Sequence, residues 1–297
     1  MDFNFMISCE STTDIEYSYF EKRQIPVLFY HYTMDGQDFE DNMGRNSKSL
    51  KDFYEKISDN ILPTTSQINE FDYLEFFKGL LQYEKPVMHI AFGSGMTPSV
   101  NNAVSAAEKV NKEIGEERIT VIDSTCSCGG YGLLVCMAYE MLAGGKTFSE
   151  TKERIIYLSR RVQHQFFSTD MKYFKRSGRV SGATATVASI LGICPIMHLD
   201  YDGRIIAYDK VRGKKKALKR TLDEMISHAE NGTDYNGLCF INHSNCYPDA
   251  LILKKDVEQT FPNLKGKVVI RDIGNIVASH CGPGTVALFY IGDEREK

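Results

Sequence analysis

Ser94 lies between two glycines in Phe92-Gly93-Ser94-Gly95-Met96-Thr97-Pro98, and three kinds of chemistry suit a hydroxyl held that way. A turn that runs into a helix aims backbone N–H groups at an anion, and glycine lets the anion approach closely. The same turn suits a dinucleotide, with Asp123 at the end of the next strand as the ribose acid. Against this, Pro98 stands where the fingerprint asks for a third Gly or Ala. Ser94, Asp123 or Asp272, and His280 also follow the chain order of a Ser…Asp…His hydrolase, but Phe92 and Met96 occupy the outer glycine positions of G-x-S-x-G. A tight turn capped by Thr97, with no ligand, accounts for the segment equally well.

Two further segments carry hydrogen-bonding side chains. Pro63-Thr64-Thr65-Ser66-Gln67 places three hydroxyls in a row ahead of a helix containing Phe71, Leu74 and Phe77. They serve either as its N-cap or, facing the glycine turn near the ends of parallel strands, as part of a ligand site. Ser279-His280-Cys281-Gly282-Pro283-Gly284 reads as a rigid turn before the last strand, where His280 donates to an anion or satisfies loop carbonyls. From Arg204 to Arg220 eight cations stand against the single acid Asp209, which suits an anionic partner or a solvated helix face. Only Tyr208 is interleaved with them, too few aromatics for single-stranded nucleic acid, and the net charge of −4 also argues against a nucleic-acid binder. The eight cysteines form no C-x-x-C pair and no zinc spacing, so no metal site is expected and a reducing cytoplasm fits them.

The elements that must position these residues alternate along the chain. Val87–Phe92 reads as a buried strand, Ser99–Ile114 as a helix, Ile119–Asp123 as a strand and Tyr131–Leu142 as a helix, an order that implies parallel pairing with crossover helices. Asn4–Ser8 and Ile25–Tyr32 supply earlier strands. From about Gln163 the texture changes. Strands at 196–199, 205–211, 238–242, 268–273 and 286–291 surround helices at 214–229 and 249–261, with Asp202-Gly203 as a hairpin turn. The expected fold is therefore α/β in two α/β domains. Residues 1–163 form the first, around a mainly parallel sheet flanked by helices; residues 164–297 form the second, mixed and with more antiparallel pairing. The start of the chain lacks a signal-peptide pattern and no apolar run approaches the roughly 18 residues of a spanning helix, so a soluble, cytoplasmic protein is expected.

Taken together and in this order, the segments resemble the DegV family of bacterial fatty-acid-binding proteins, which supply the acyl group to a fatty acid kinase. Ser8-Cys9-Glu10-Ser11-Thr12-Thr13-Asp14 is similar to the family's T-D-S-T-x-D opening, Thr65-Ser66-Gln67 to T-S-Q, Gly93-Ser94-Gly95 to S-S-G, and Val121-Ile122-Asp123-Ser124 to V-I-D-S. Tyr173 to Ser181 resembles Y-L-x-x-G-G-R-I-S, Lys210-Val211-Arg212-Gly213 follows, and His280-Cys281-Gly282-Pro283-Gly284 resembles H-T-G-P-G. The departures are Glu10 for Asp, Gly93 for the first Ser of S-S-G, Cys281 for Thr, and Cys194 for the Lys that precedes Pro-Ile.

The resemblance implies a carrier with no catalytic centre and no cofactor, holding one long-chain fatty acid such as palmitate, stearate or oleate. It implies that the Thr65 and Ser94 hydroxyls and the Gly95 N–H hold the carboxylate, with His280 nearby. Arg179 and Arg212 are then candidates for touching the kinase or the transferred phosphate. It also allows transient contact with a membrane surface without an integral segment. Val187, Ile190, Leu191, Ile193, Ile196 and Met197 form a candidate wall for the acyl chain. The readings of Ser94 with His280 as an esterase pair, and of Gly93-Ser94-Gly95 as a nucleotide turn, stay open beside it.

Overall fold

The computed structural model describes residues 3–180 and 192–297. The first part of the chain runs β1 (Met6–Glu10), α1 (Tyr17–Arg23), β2 (Val27–Leu28), β3 (His31–Met34), β4 (Gln37–Glu40), α2 (Ser49–Ser58), β5 (Thr64–Ser66), α3 (Glu70–Leu80), β6 (Val87–Ala91), α4 (Ser99–Ile114), β7 (Ile119–Asp123), α5 (Cys128–Ala143) and α6 (Phe148–Ser159). The second runs β8 (Val162–Ser168), α7 (Lys172–Ser177), β9 (Ile193–Leu199), β10 (Ile205–Arg212), α8 (Lys214–His228), β11 (Phe240–His243), α9 (Tyr247–Thr260), β12 (Val269–Asp272), α10 (Asn275–Cys281) and β13 (Thr285–Ile291).

Three sheets result. A parallel sheet in the order β2-β1-β6-β7 is built from βαβ crossovers, as the alternating pattern predicts. A six-stranded sheet, β10-β9-β8-β13-β11-β12, is antiparallel except for the β11/β12 pair. The third, β4-β3-β5, is a small antiparallel ribbon. It corrects the expectation of one strand over 25–32, because the chain leaves β2 after Leu28 and starts a separate hairpin at His31. Asp35 and Gly36, at φ 56° and 69°, make that turn, and the left-handed backbone at both positions is what a two-residue hairpin of the primed type requires.

Helix α5 is the joint between the two large sheets. Most of its residues are buried, and glycines at three of its first positions let other groups come close. A Cβ on Gly129 would meet Asn242 and Phe289 of the six-stranded sheet, one on Gly130 would meet His164, and one on Gly132 would meet the Thr13 carbonyl. The helix therefore begins at Cys128, three residues before the expected Tyr131. Helix α4 buries Val100, Ala103, Ala106, Ala107 and Val110, a stripe at helical spacing, and ends at left-handed Gly115. Arg295 fastens the C-terminus to the connections around this joint, donating to the carbonyls of Thr125 and Ser159 at 2.9 Å each. Among the described residues no helix is long and apolar enough to cross a membrane.

Candidate functional site

A cavity of about 270 Å³ lies between the six-stranded sheet and the N-terminal part of the chain. Its floor follows from strand alternation, since side chains two apart share one face. Thr285, Ala287 and Phe289 on β13 and His164 and Phe166 on β8 all line it, with Phe289 opposite His164 and Ala287 opposite Phe166 in register. Leu199 and Ile205 extend the floor at the β9–β10 hairpin, whose Asp202-Gly203 turn forms as expected. Tyr30, Phe92 and Met96 close the opposite side, and α10 roofs it with Ile276 and Val277. The lining is mostly hydrocarbon. An apolar cavity of even about 150 Å³ stays dry and takes up apolar ligands.

Polar groups gather at one edge. The Thr65 Oγ1 lies 2.9 Å from His280 Nε2, across 215 residues of chain. Thr65 is placed by the ribbon, opposite Tyr32 on β3. The hydroxyl row is thus an antiparallel strand and not the cap of α3, whose N-cap is Asn69, accepting from the Asp72 N–H. His280 stands in the last turn of α10, a helix where the sequence suggested a loop; only Gly282-Pro283-Gly284 is loop. Burial, then the Arg179 and Arg176 charges, lowers the His280 pKa to about 4, so the ring is neutral at physiological pH and has one N–H to give. Its Nδ1 is buried without a partner among the described residues.

Arg176, which the sequence reading passed over, holds the two halves of this pair together. Its guanidinium donates to the Pro63 carbonyl at 2.7 Å, just before β5, and to the Ser279 carbonyl at 3.4 Å, beside His280. The signal was its place two residues ahead of the α7 C-terminal glycine, in the same motif as Arg179. Gly178, left-handed at φ 68°, ends α7 and turns the chain so that Arg179 reaches the cavity edge. His164, also unforeseen, accepts from the Ser127 N–H at 3.1 Å and pairs with the Val162 carbonyl at 3.0 Å. Burial pushes its pKa well down, making it a neutral part of the lining.

Ser94 and Gly95 are placed differently. Neither lines the cavity, although Met96, Thr97 and Pro98 immediately after them do. The Ser94 N–H donates to Asp123 Oδ1 at 3.1 Å and the Gly93 N–H to the Cys126 carbonyl at 3.0 Å. Gly95 packs against the β9–β10 turn, where a Cβ would fall 2.3 Å from Gly203 backbone atoms. The carboxylate weighed as a ribose ligand thus takes the Ser94 N–H for itself. No Ser–His–Asp triad is assembled either: His280 is joined to Thr65, Asp123 to the turn, and Asp272 lies 3.5 Å from His243.

Arg212, at the exposed end of β10, is likewise not in the cavity lining. Half of the surrounding basic stretch is neutralised, Lys214 by Asp249, Lys219 by Asp223, Arg220 by Asp209 and Arg204 by Asp202. Of the expected acyl-chain wall, Val187, Ile190 and Leu191 lie outside the described residues, as does Ser181. Ile193, half-buried, and Ile196 and Met197, buried within the sheet, do not line the cavity, because only the end of β9, at Leu199, reaches it. Among the described residues no group of three or more His, Cys, Asp and Glu side chains is arranged to hold a metal ion.

This fold, two α/β layers around an apolar cavity, defines a class, and comparison with known proteins places the chain in it. The DegV family model matches residues 4–293. The chain belongs to the DegV family. It is 30% identical over 289 residues to the DegV domain-containing protein YteA of Lactococcus lactis, covering 97% of each chain. It is 29% identical over 292 residues to a DegV domain-containing protein of Clostridium perfringens, covering 98% of this chain and 99% of the other. Among solved structures, a DegV family protein from Thermus thermophilus described as binding fatty acid superposes with a TM-score of 0.86 at 22% identity, over 98% of this chain and all of that one. DegV from Bacillus subtilis, described as a fatty acid binding protein, gives 0.78 at 23% identity, over 98% and 100%.

Proposed function

We propose that this protein binds one long-chain fatty acid, of the size of palmitate, stearate or oleate, with its chain in the 270 Å³ cavity and its carboxylate at the Thr65–His280 edge. The observation that carries the reading is an apolar cavity with a neutral hydroxyl–imidazole pair at its rim. Physical magnitudes agree with that division of labour. Burying about 14 methylenes at ~0.8 kcal/mol each gives about 11 kcal/mol of gross drive. A hydrogen bond to a carboxylate nets ~1.5–3 kcal/mol. The cavity sets affinity, and the rim sets which end faces out.

If His280 Nε2–H donates to Thr65 Oγ1, the Thr65 O–H is left free to donate to the carboxylate. Neutral donors hold that group without the tight clamp of an arginine pair, which suits a carrier that presents its carboxylate to a fatty acid kinase for conversion to acyl phosphate. Arg179 is exposed at the same edge, and in this role it would meet the incoming phosphate or the kinase. Ser94, Gly95 and Arg212 would act only at the periphery of this site. In this role the protein turns nothing over itself.

Native mass spectrometry of freshly purified protein, followed by denaturation and solvent extraction, tests the reading. We expect an added mass equal to one fatty acid, released on denaturation. A bare protein that also fails to bind added oleate or palmitate would discard it. Within the site, Thr65→Ala should weaken oleate binding about tenfold with an unchanged melting temperature, the worth of one hydrogen bond to a charged group. Ser94→Ala should weaken it less, since that side chain stands outside the lining. Equal effects from the two variants would return the carboxylate to the glycine turn.

A further inference from the structure

The segment Ser11 to Asp14, part of the opening motif, contributes nothing to the acyl cavity, yet its residues are buried. Ser11 and Asp14 face a second cavity of about 80 Å³ at the N-terminal end of α10, whose wall also includes Asp41, Asp272 and Asn275. Asp41 is 1% exposed, and its carboxylate oxygens make no well-formed hydrogen bond with a described residue, although the Ser11 hydroxyl and the Asn42 N–H stand close enough to favour the charged form. Asp14 Oδ2 likewise makes no well-formed hydrogen bond with a described residue, and the Asn275 side chain, also 1% exposed, leaves its amide nitrogen unmatched. The Oδ1 atoms of Asp14 and Asp41 both crowd Gly274, lying 2.8 and 3.6 Å from where a Cβ would stand, so the two carboxylates converge on one space.

The nearby cations each have an acid partner of their own. Arg271, in the cavity wall, pairs with Glu16 but leaves its Nε buried and unmatched among the described residues, and Arg45 pairs with Glu40 while also favouring the Asp41 carboxylate; Asp272 has His243 at 3.5 Å. Burial pushes the Asp14 pKa up to about 8, with Asp41 and Asp272 adding to the rise and the Cys128 thiol and Gly274 N–H opposing it. Burial raises Asp41 to about 7, against the lowering effects of Ser11, Asn42 and Arg45. Two buried acids that face one space are costly to ionise together unless a positive charge joins them.

We propose that this cavity binds a hard divalent cation, Mg²⁺ or Ca²⁺, with Asp14 and Asp41 as its carboxylate ligands. The Ser11 hydroxyl through its second lone pair, its oxygen also accepting the Tyr30 N–H at 3.1 Å, the Asn275 carboxamide turned oxygen-first, and retained waters complete an all-oxygen shell. Two carboxylates suffice for an ion that keeps part of its water, and the donor set lacks the thiolate or imidazole that softer metals prefer. The bound ion fixes the start of α10, the helix that carries Ile276, Val277 and His280 to the acyl cavity.

The full-length protein, freed of metal with EDTA and exchanged into chelator-free buffer, is titrated with MgCl₂ and with CaCl₂ by calorimetry, with melting followed in parallel. The expected result is saturable one-to-one binding of at least one of the two, with a melting temperature that rises with its concentration. Asp41→Asn should weaken that binding by at least about tenfold, the lower end of what even outer-shell changes cost. Its metal-free form should melt no lower than the wild type, because a buried charge has been removed. If Asp41→Asn does not fold, Asn275→Ala carries the same comparison. Failure of the wild type to bind either ion saturably overturns the proposal and leaves the cavity to water and a shared proton. Undiminished binding by the folded variant overturns it as well.

Discussion

Ala287→Phe should abolish fatty acid binding at concentrations that saturate the wild type while leaving a cooperatively folding protein. Ala287 sits in the middle of β13, between Thr285 and Phe289 on the cavity floor and opposite Phe166 on β8. Its small side chain is what keeps the space above it open. A benzyl group there takes the room of about four methylenes of ligand, and at ~0.8 kcal/mol each that removes about 3 kcal/mol, roughly two-hundredfold in affinity. The substitution grows into a void and not into packed core, so the usual overpacking cost of ~1–3 kcal/mol should be small or absent. The measurement is oleate binding by calorimetry or by displacement of a fluorescent fatty acid, beside a thermal melt. Unaltered affinity with an intact melt would place the acyl chain elsewhere in the molecule.

That floor was not legible in the sequence. Strand β8 reads Val162-Gln163-His164-Gln165-Phe166-Phe167-Ser168, and every residue of it is buried, so it shows no alternation of polar and apolar. Its two sides become distinguishable only when β13 pairs with it. The parallel sheet, by contrast, reads out well: α4 and β7 fall on the residues expected, because an apolar stripe with a glycine stop and a short β-branched run are local signals. Strand β5 is three hydroxyl-bearing residues with no pattern of its own; its pairing with β3, over thirty residues away, makes it a strand. The signal available is Asp35-Gly36 between Tyr32 and Phe39, a hairpin turn lying just beyond the strand expected over 25–32.

At the site, residue types were informative and neighbourhoods were not. Thr65 and His280 stand out in separate motifs, and the fold brings them to 2.9 Å. Ser94 drew attention because Gly-Ser-Gly before a helix suits an anion, yet whether its N–H groups are free depends on what else reaches them. Asp123 reaches the Ser94 N–H, at 3.1 Å, and uses that donor within the protein itself. The helix around His280 is seven residues long and was hidden by the Gly-Pro-Gly that follows it, a strong local signal that dominated its surroundings.

Glu10→Ala should be among the most destabilising single changes in the chain, lowering stability by about 3 kcal/mol or more. Glu10 is fully buried at the end of β1, and its side chain is a hub. Oε2 accepts the Phe92 N–H at 2.9 Å, Oε1 accepts the Tyr73 hydroxyl, and His89 Nε2 stands 3.4 Å from it. Tyr73 lies 3.1 Å from the Ser99 hydroxyl, which donates to the Ile68 carbonyl. One carboxylate thus ties β1 to β6, α3 and α4. Truncation leaves three buried polar partners facing a void, and an unsatisfied group costs more than a bond gains. Glu10→Gln keeps an acceptor for Phe92 and should cost far less, which separates lost hydrogen bonding from lost volume. The consequence reaches the ligand, because Phe92, whose backbone Glu10 holds, lines the acyl cavity. Glu10→Ala should therefore weaken oleate binding even at temperatures where it is fully folded, whereas Glu10→Gln should not. Urea melts and binding isotherms of the two variants check both statements, and an alanine variant as stable as the glutamine one would show that the hub is not what anchors Phe92.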